Sequence, residues 1–379
     1  MLIENEQELS WLVELMGIPT ASGRERGVVE WIRRWVSARP EFFVESDEAG
    51  NLVVGFAGAR GGRWLYITAH LDHPAFVVER VVGPGTLMAT FRGGVLDSYF
   101  QGARVEVFGG ADWSRGAVAR GVVTERVKKE PFAECLIELE GEGSPAERVC
   151  VGDVARWALP AARIEGDLFH GDACDDLSAV AAALSVMERL RGREGVSHVR
   201  LLFTRAEEVG FIGAIAACKL GTIEKGSRVI ALENSRSFED SPIGGGPIVR
   251  VGDRISVFSA ALTGAVAKVA EKLSGKSALV WQRKLMAGGA CEASVFQAYG
   301  HEATCVCLPL GNYHNMENLA RVQAGEISAA RIGPELISVG DYRGMIALLE
   351  ACATELEEVE PLVSRMEKLY VEKGFVLKE

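Results

Sequence analysis

The sequence has no apolar run that approaches the ~20 residues needed to cross a membrane. Its first residues, MLIENEQELSW, are acidic and lack the apolar core of a signal peptide. Basic residues number 41 against 52 acidic ones, and a net charge of −11 argues against a protein that binds nucleic acid electrostatically. We therefore expect a cytoplasmic protein that binds neither nucleic acid nor a membrane.

Cysteines in the spacing of a disulfide framework are also lacking. The eight cysteines are scattered through apolar segments, at positions 135, 150, 174, 218, 291, 305, 307 and 352. This pattern predicts buried free thiols in a reducing compartment. With 379 residues, of which 48% are hydrophobic, the chain can bury a large core without cross-links.

Helical and strand patterns alternate in the first and the last parts of the chain. Apolar residues recur at helical spacing over 28–36, and Ser22 with Glu25 resembles a capping box that opens this helix. A second helix is predicted over 177–190. Nearly continuous apolar runs predict strands buried on both faces at 64–70, 199–204, 229–232 and 304–308. Such alternation indicates a mostly parallel sheet with helices on both faces, a three-layer α/β/α arrangement.

The segment from about Phe76 to Arg163 differs from the rest. It consists of short alternating runs separated by glycines and shows no helical period. We predict that it forms a small all-β domain inserted into the α/β domain. The expected organisation is therefore residues 1–75 and 164–379 for the α/β domain and 76–163 for the insertion.

Histidines and acidic residues follow the predicted buried strands, where open α/β sheets bind their ligands. Singly, each has a structural explanation, such as a helix cap for an aspartate or a solvated loop for a glutamate pair. Together, imidazoles and carboxylates suit zinc, cobalt or manganese. Two histidines and three carboxylates suffice for two metals with a shared carboxylate, and a spare glutamate can act as a general base. The candidate residues are His70, Asp72, Asp175, Glu207, Glu208, Glu233 and His314.

The amino-acid sequences around these residues resemble those of one family. AHLDHPAFVV, ACDD and TRAEEVGFIGA are similar to the ligand segments of the cocatalytic di-zinc aminopeptidases of the tetrahedral type, some of which carry an endoglucanase label. IGGGP, GGACEAS and LPLGNYHNMEN resemble later signatures of that family. The similarity extends over roughly residues 8–350, and Glu-Glu-Val-Gly and Ala-His-x-Asp are its most specific parts.

The resemblance implies a metal-dependent aminopeptidase that binds two divalent ions, zinc above cobalt or manganese. It assigns His70 and Glu233 to the first metal and Glu208 and His314 to the second, with Asp175 as the bridge. Glu207 is implied as the catalytic acid and base, and Asp72 as the residue that orients His70. It further implies a peptide substrate, a homo-oligomer, and a β-barrel-like insertion that shapes the substrate entrance or mediates assembly.

Four departures from the family pattern are visible. Glu233 stands where the family usually has aspartate, Leu177 where arginine is common, and His73 where an acid is usual. Cys291-Glu292 replaces a Thr/Ser-Asp pair. The resemblance therefore leaves the preferred N-terminal residue open.

The place in the chain at which the extra domain is inserted distinguishes between classes of related enzymes. His70 and Asp175 are 105 residues apart, and this gap contains the all-β pattern. Glu233 and His314 are 81 residues apart, and that gap reads as helix, strand and helix. This arrangement favours an aminopeptidase over a carboxypeptidase or N-acyl-amino-acid deacylase with the same metals. An inactive peptidase-like binding protein is a further alternative, whereas a glycosidase leaves both histidines unexplained.

Overall fold

The computed structural model describes residues 2–59, 62–110, 113–277, 279–356 and 362–378. The chain begins with α1 (Leu2–Met16), α2 (Arg26–Ser37), β1 (Phe42–Ser46), β2 (Leu52–Phe56) and β3 (Leu65–His70). Next come β4 (Ala75–Gly83), β5 (Thr86–Arg92), β6 (Arg104–Phe108), β7 (Ala119–Val127), β8 (Ala133–Leu139) and β9 (Val154–Trp157). The remainder comprises β10 (Arg163–Glu165), β11 (Leu168–Gly171), α3 (Cys174–Leu190), β12 (Val199–Thr204), α4 (Ile212–Leu220), β13 (Arg228–Arg236), β14 (Ile248–Asp253), α5 (Ala260–Ser277), β15 (Gln282–Met286), α6 (Glu292–Ala298), β16 (Glu302–Leu310), β17 (Met316–Glu317), α7 (Leu319–Gln323), β18 (Arg331–Ile332), β19 (Glu335–Ser338), α8 (Val339–Glu355) and α9 (Leu362–Lys373).

Eight strands form the main sheet in the order β1-β2-β12-β3-β13-β16-β14-β15. The four central strands, β12, β3, β13 and β16, are mutually parallel, and β14 and β15 are parallel to each other. All six residues of β3 are buried because side chains of a strand alternate between its faces and helices cover both. Leu65 and Ile67 pack in a core that includes α3 and α8, whereas Tyr66 packs with α4 and α6.

A second unit of strands lies between β3 and β11 in the chain. Strands β4, β5, β8, β7, β6 and β9 close into an antiparallel barrel in that order. Phe76, Phe91, Phe100 and Trp157 pack edge to face in its core. The predicted fold class is thereby confirmed: a mostly parallel α/β sheet with helices, and an inserted all-β unit.

Several local predictions need correction. The helix starting at Arg26 is not opened by a Ser22–Glu25 capping box; the Ser22 hydroxyl instead donates to Asp72, 2.5 Å away. Three strands, β14, β15 and β16, lie in the gap between Glu233 and His314, where a single strand was expected. The cysteines are free, as predicted, but Cys150 is exposed and Cys218 is half-buried.

In the described part of the chain, helices are too short or too polar to cross a membrane. The apolar side chains of α3 instead supply the protein core: Leu177, Val180, Leu184 and Met187 are fully buried.

Candidate metal centre

The candidate residues meet at one edge of the main sheet. His70 is the last residue of β3, Glu233 lies on the neighbouring β13, and His314 follows β16. Glu207 and Glu208 follow β12, and Asp175 lies at the start of α3. Because these central strands are parallel, their carboxyl ends open on the same side, where α/β sheets bind ligands. The fold thus brings together residues separated by up to 244 positions in the sequence.

Asp175 lies between the two histidines. Its Oδ1 is 3.3 Å from His70 Nε2, and its Oδ2 is 3.4 Å from His314 Nε2. A single carboxylate therefore faces two imidazoles through two different oxygens. This arrangement can place one carboxylate between two cations.

Both imidazoles are held through the nitrogen that faces away from Asp175. His70 Nδ1 lies 3.1 Å from the backbone carbonyl of Asp72, and His314 Nδ1 lies 2.7 Å from that of Gly94. Because a carbonyl only accepts hydrogen bonds, each Nδ1 carries the proton as donor. The Nε2 atoms are thereby oriented as ligands, which is the usual role of such outer hydrogen bonds.

Glu207 and Glu208 face different histidines. Glu207 Oε2 is 3.9 Å from His70 Nε2, whereas Glu208 Oε1 is 3.3 Å from His314 Nε2. The backbone is bent just before them, where Ala206 has a φ of 53°. Both carboxylates thus enter the same site from one short segment.

Asp72 ties the site to the segment that carries the two glutamates. Its carboxylate accepts the backbone N–H groups of Glu207 at 3.0 Å and Glu208 at 3.1 Å, together with the Ser22 hydroxyl. The same carboxylate is 3.5 Å from His70 Nδ1, farther than the Asp72 carbonyl. Asp72 therefore contacts His70 mainly through its backbone and the Glu-Glu segment through its side chain.

Burial and mutual repulsion shift the pKa values of these groups. Burial raises the pKa of Glu207 well above its usual value; His70 opposes this shift and Glu208 adds to it. Burial likewise raises the pKa of Glu233, with Asp175 and Glu207 contributing. Burial alone would lower the pKa of His70, yet Glu207 and Asp176 raise it overall. The cluster therefore holds more carboxyl groups than its two histidines can neutralise.

The residues fit divalent metal ions on two further observations. Oxygens of Asp175 and Glu208 are buried and accept no hydrogen bond from the described residues. Buried polar atoms without partners are rare and are explained here if a cation contacts them. Three groups have potential ligand atoms within 4.8 Å of one another: His70 with Asp175, Asp176 and Glu233; His70 with Glu207 and Glu208; and Asp175 with Glu208 and His314.

Two residues without a predicted role also border the site. Asp176 accepts the His70 backbone N–H at 3.1 Å and the Asn234 side-chain amide at 2.8 Å. Glu335 accepts backbone N–H groups of Asp175 and His314. Asp176 adjoins Asp175, which was a visible signal, but nothing in the local sequence of Glu335 indicates that it reaches residues this distant.

The departures from the family pattern have defined surroundings. His73 is buried, with Nδ1 2.5 Å from the Asp175 carbonyl and Nε2 3.0 Å from Asn315 Oδ1. Leu177 packs in the core of the main domain. Burial raises the pKa of Glu292 to about 7, and His70 and Thr204 oppose this shift.

A cavity of about 690 Å³ opens beside Glu233. Its lining includes Gly94–Leu96 of the barrel, Tyr313 and Met316, together with Arg236, Arg250 and Arg254. Arg250 is only 2% exposed, and its Nη1 donates to the Ser235 hydroxyl at 3.1 Å. Its Nε has no hydrogen-bond partner among the described residues.

A family model for the M42 glutamyl aminopeptidase family matches residues 50–329, which include all seven candidate residues. The chain belongs to the M42 glutamyl aminopeptidase family. Membership in M42, a family of metallopeptidases, makes the protein a peptidase and therefore a hydrolase. The resemblance inferred from the sequence is thus confirmed.

Solved structures similar to this M42 member share its fold. The Pyrococcus horikoshii TET1 peptidase has a TM-score of 0.73 at 22% identity, over 92% of this chain and 100% of that chain. The aminopeptidase APDkam598 from the archaeon Desulfurococcus kamchatkensis has a TM-score of 0.71 at 19% identity, over 94% and 99% of the two chains. A Thermotoga maritima protein described as an endoglucanase has a TM-score of 0.64 at 19% identity, over 90% and 96%.

Proposed function

We propose that this M42 peptidase is an aminopeptidase that removes N-terminal residues from peptides with the help of two divalent metal ions. The observation that carries the proposal is the position of Asp175, whose two carboxylate oxygens lie 3.3 and 3.4 Å from the Nε2 atoms of His70 and His314. His70 and Glu233 would hold one ion, and Glu208 and His314 the other, with Asp175 contacting both. The imidazole and carboxylate donors favour zinc, with cobalt or manganese as substitutes.

Two divalent ions would supply Lewis acidity that polarises the scissile carbonyl and acidifies the attacking water. Glu207 would accept the proton of that water and later donate it to the leaving amine. Its buried position supports this role, because burial raises the pKa of its carboxyl and so makes the carboxylate a stronger base. Asp72 would hold the Glu207 backbone in place through the 3.0 Å hydrogen bond.

The cavity beside Glu233 supports a preference for an acidic N-terminal residue. Three arginines and one carboxylate line it, and that carboxylate belongs to a proposed metal ligand. Arg250 is buried with an unpartnered Nε, and a buried charge is costly unless it is paired. A substrate carboxylate would pair it. The description of the matching family as glutamyl aminopeptidases agrees with this preference.

The inserted domain, residues 76–163, is proposed to shape the substrate entrance or to mediate assembly. Its loop between β5 and β6 lines the cavity, and its Gly94 carbonyl orients His314. We also propose a homo-oligomer, supported by the P. horikoshii TET1 peptidase, which can assemble into a tetrahedron or a large octahedral shell.

Mass spectrometry of a digested peptide tests the proposed activity. Protein reconstituted with zinc or cobalt is incubated with a peptide that begins with Glu, with its N-acetylated form, and with an N-acyl amino acid. Stepwise loss from the free N-terminus is expected, with the acetylated peptide intact and the chelator-treated protein inactive. Loss of C-terminal residues, or hydrolysis of the N-acyl amino acid alone, would instead favour a carboxypeptidase or deacylase. No hydrolysis of any substrate would favour an inactive binding protein.

A further inference from the structure

Glu335 is a fully buried carboxylate that joins two distant parts of the metal centre. One of its oxygens accepts the backbone N–H of Asp175 at 2.9 Å, and the other accepts that of His314 at 2.8 Å. The residues that donate are 139 positions apart in the sequence. Each carboxylate oxygen is therefore committed to the backbone of a different proposed ligand.

The strand that carries Glu335 lies between the segments that lead to these ligands. Glu335 is paired with Gly171 in the β11–β19 ladder, four residues before Asp175. Leu336 exchanges two backbone hydrogen bonds with Gly311, three residues before His314. Strand β19 thus holds the two segments that lead to Asp175 and His314 through its backbone. The Glu335 side chain holds the two ligand residues themselves.

Both ends need such support because their backbones are irregular. Asp175 has a φ of −83° and a ψ of 102°, outside the helical range, although it lies at the start of α3. His314 has a φ of 53°, and Asn312 and Asn315 also have positive φ. A left-handed conformation is unfavourable for a residue with a side chain, so neighbouring contacts must hold it.

We infer that Glu335 is a positioning residue that sets the spacing between Asp175 and His314, and so the affinity for the second metal ion. The inference rests on the proposed function. Glu335 does not face the cavity, and its contacts are to backbone N–H groups, so its effect is transmitted through the two ligands. Loss of such outer contacts typically weakens metal affinity 10–100-fold.

The chain contains a matched control. Asp341 is a buried carboxylate whose two oxygens accept the backbone N–H groups of Gly244 and Gly246, both at 2.7 Å. It therefore makes the same type of contact, six positions along the chain, without touching a candidate ligand. Asp341→Asn removes one of two carboxylate acceptors at a position away from the metal centre. Glu335→Gln removes one of two carboxylate acceptors at the metal centre.

Competition with a chromophoric chelator measures the affinities for the first and second zinc ions in wild type, Glu335→Gln, Glu335→Asp and Asp341→Asn. We expect Glu335→Gln to bind the second ion 10–100-fold more weakly and the first within about threefold of wild type. Glu335→Asp keeps both acceptor oxygens and should bind the second ion more tightly than Glu335→Gln does. If Glu335→Gln does not fold, the affinity of Glu335→Asp for the second ion is the test. Asp341→Asn should lower the unfolding temperature and leave both affinities unchanged.

Wild-type affinity for the second ion in both Glu335 variants would overturn the inference and leave the proposed metal pair intact. Equal weakening in Asp341→Asn would also overturn it, because the effect would then be general destabilisation. A wild-type protein that binds fewer than two ions would overturn the proposed pair itself and the inference with it.

Discussion

Glu207 and Glu208 are adjacent in the chain, but their carboxylates face different histidines, at 3.9 Å from His70 and 3.3 Å from His314. Adjacent side chains of an extended segment point to opposite sides, and the bend at Ala206 turns both into the site. At the scale of single residues, this difference predicts different consequences for two otherwise identical substitutions.

Glu207→Gln should keep both metal ions and the fold while it removes the proton acceptor. General acid–base catalysis typically contributes ~10²–10⁴-fold, so kcat should fall by at least that range with little change in KM. Glu208→Gln should instead lower the affinity for the second ion, and excess metal should restore part of the activity. Metal content and steady-state kinetics of both variants check this. A Glu207→Gln protein that loses an ion while Glu208→Gln keeps both would reverse the assignment.

Arg250 is the residue expected to select the substrate. Arg250→Met keeps a long side chain but removes the charge, so the substrate carboxylate would lose its partner. Removing one member of a buried charge pair costs roughly 2 kcal/mol or more, which corresponds to at least a ~30-fold loss in kcat/KM for N-terminal Glu. N-terminal Leu should be affected much less.

Arg254→Met is the control for that substitution, because Arg254 lines the same cavity at an exposed position. Its removal changes the net charge equally but leaves the buried guanidinium in place. Equal losses for Glu and Leu substrates in Arg250→Met, or equal effects of the two variants, would contradict a selective role of Arg250.

At the scale of elements, the barrel contacts the metal centre through the loop after β5. Gly93 has a φ of +137°, and a Cβ placed there would lie 2.6 Å from Pro74 Cβ and 2.8 Å from Pro74 Cα. The next residue, Gly94, provides the carbonyl that accepts the His314 Nδ1–H. A displacement of this loop would therefore break this hydrogen bond, and the His314 ring would no longer be held in its orientation.

Gly93→Ala is expected to lower the affinity for the second metal ion, because it displaces this loop. Gly102→Ala is its control in the same barrel, since Gly102 also has positive φ, +75°, but nothing lies within 4 Å of its Cβ position. Both variants should lose stability because a left-handed alanine costs roughly 1–2 kcal/mol. Thermal unfolding and metal titration separate the two effects. Unchanged metal affinity in Gly93→Ala would show that the loop does not orient His314.

Strands buried on both faces were predictable because a long apolar run leaves few alternatives, as in β3 and β12. Strand β15, with the sequence QRKLM, was not predicted because it lies at the sheet edge, where only Met286 is fully buried, and so it has no apolar run. The candidate site could be located from acidic residues and histidines that follow strands. Glu335 could not, because its role depends on two backbone N–H groups that only the folded chain brings together.

At the scale of the whole molecule, we expect a homo-oligomer. The helix α9 leaves Val363, Met366 and Tyr370 at least half exposed, and exposed apolar clusters are typical of interaction surfaces. Sedimentation velocity at several protein concentrations checks this. A single species with the mass of one chain, 40.8 kDa, at all concentrations would contradict it.

The number of metal ions per chain tests the central proposal most directly. Five candidate ligands exceed the four of a single tetrahedral zinc, and Asp175 is placed to contact two cations. Protein stripped with a chelator, reconstituted with excess zinc or cobalt and desalted should contain two ions per chain by elemental analysis. A limit of one ion per chain that persists with either metal would contradict the two-metal centre.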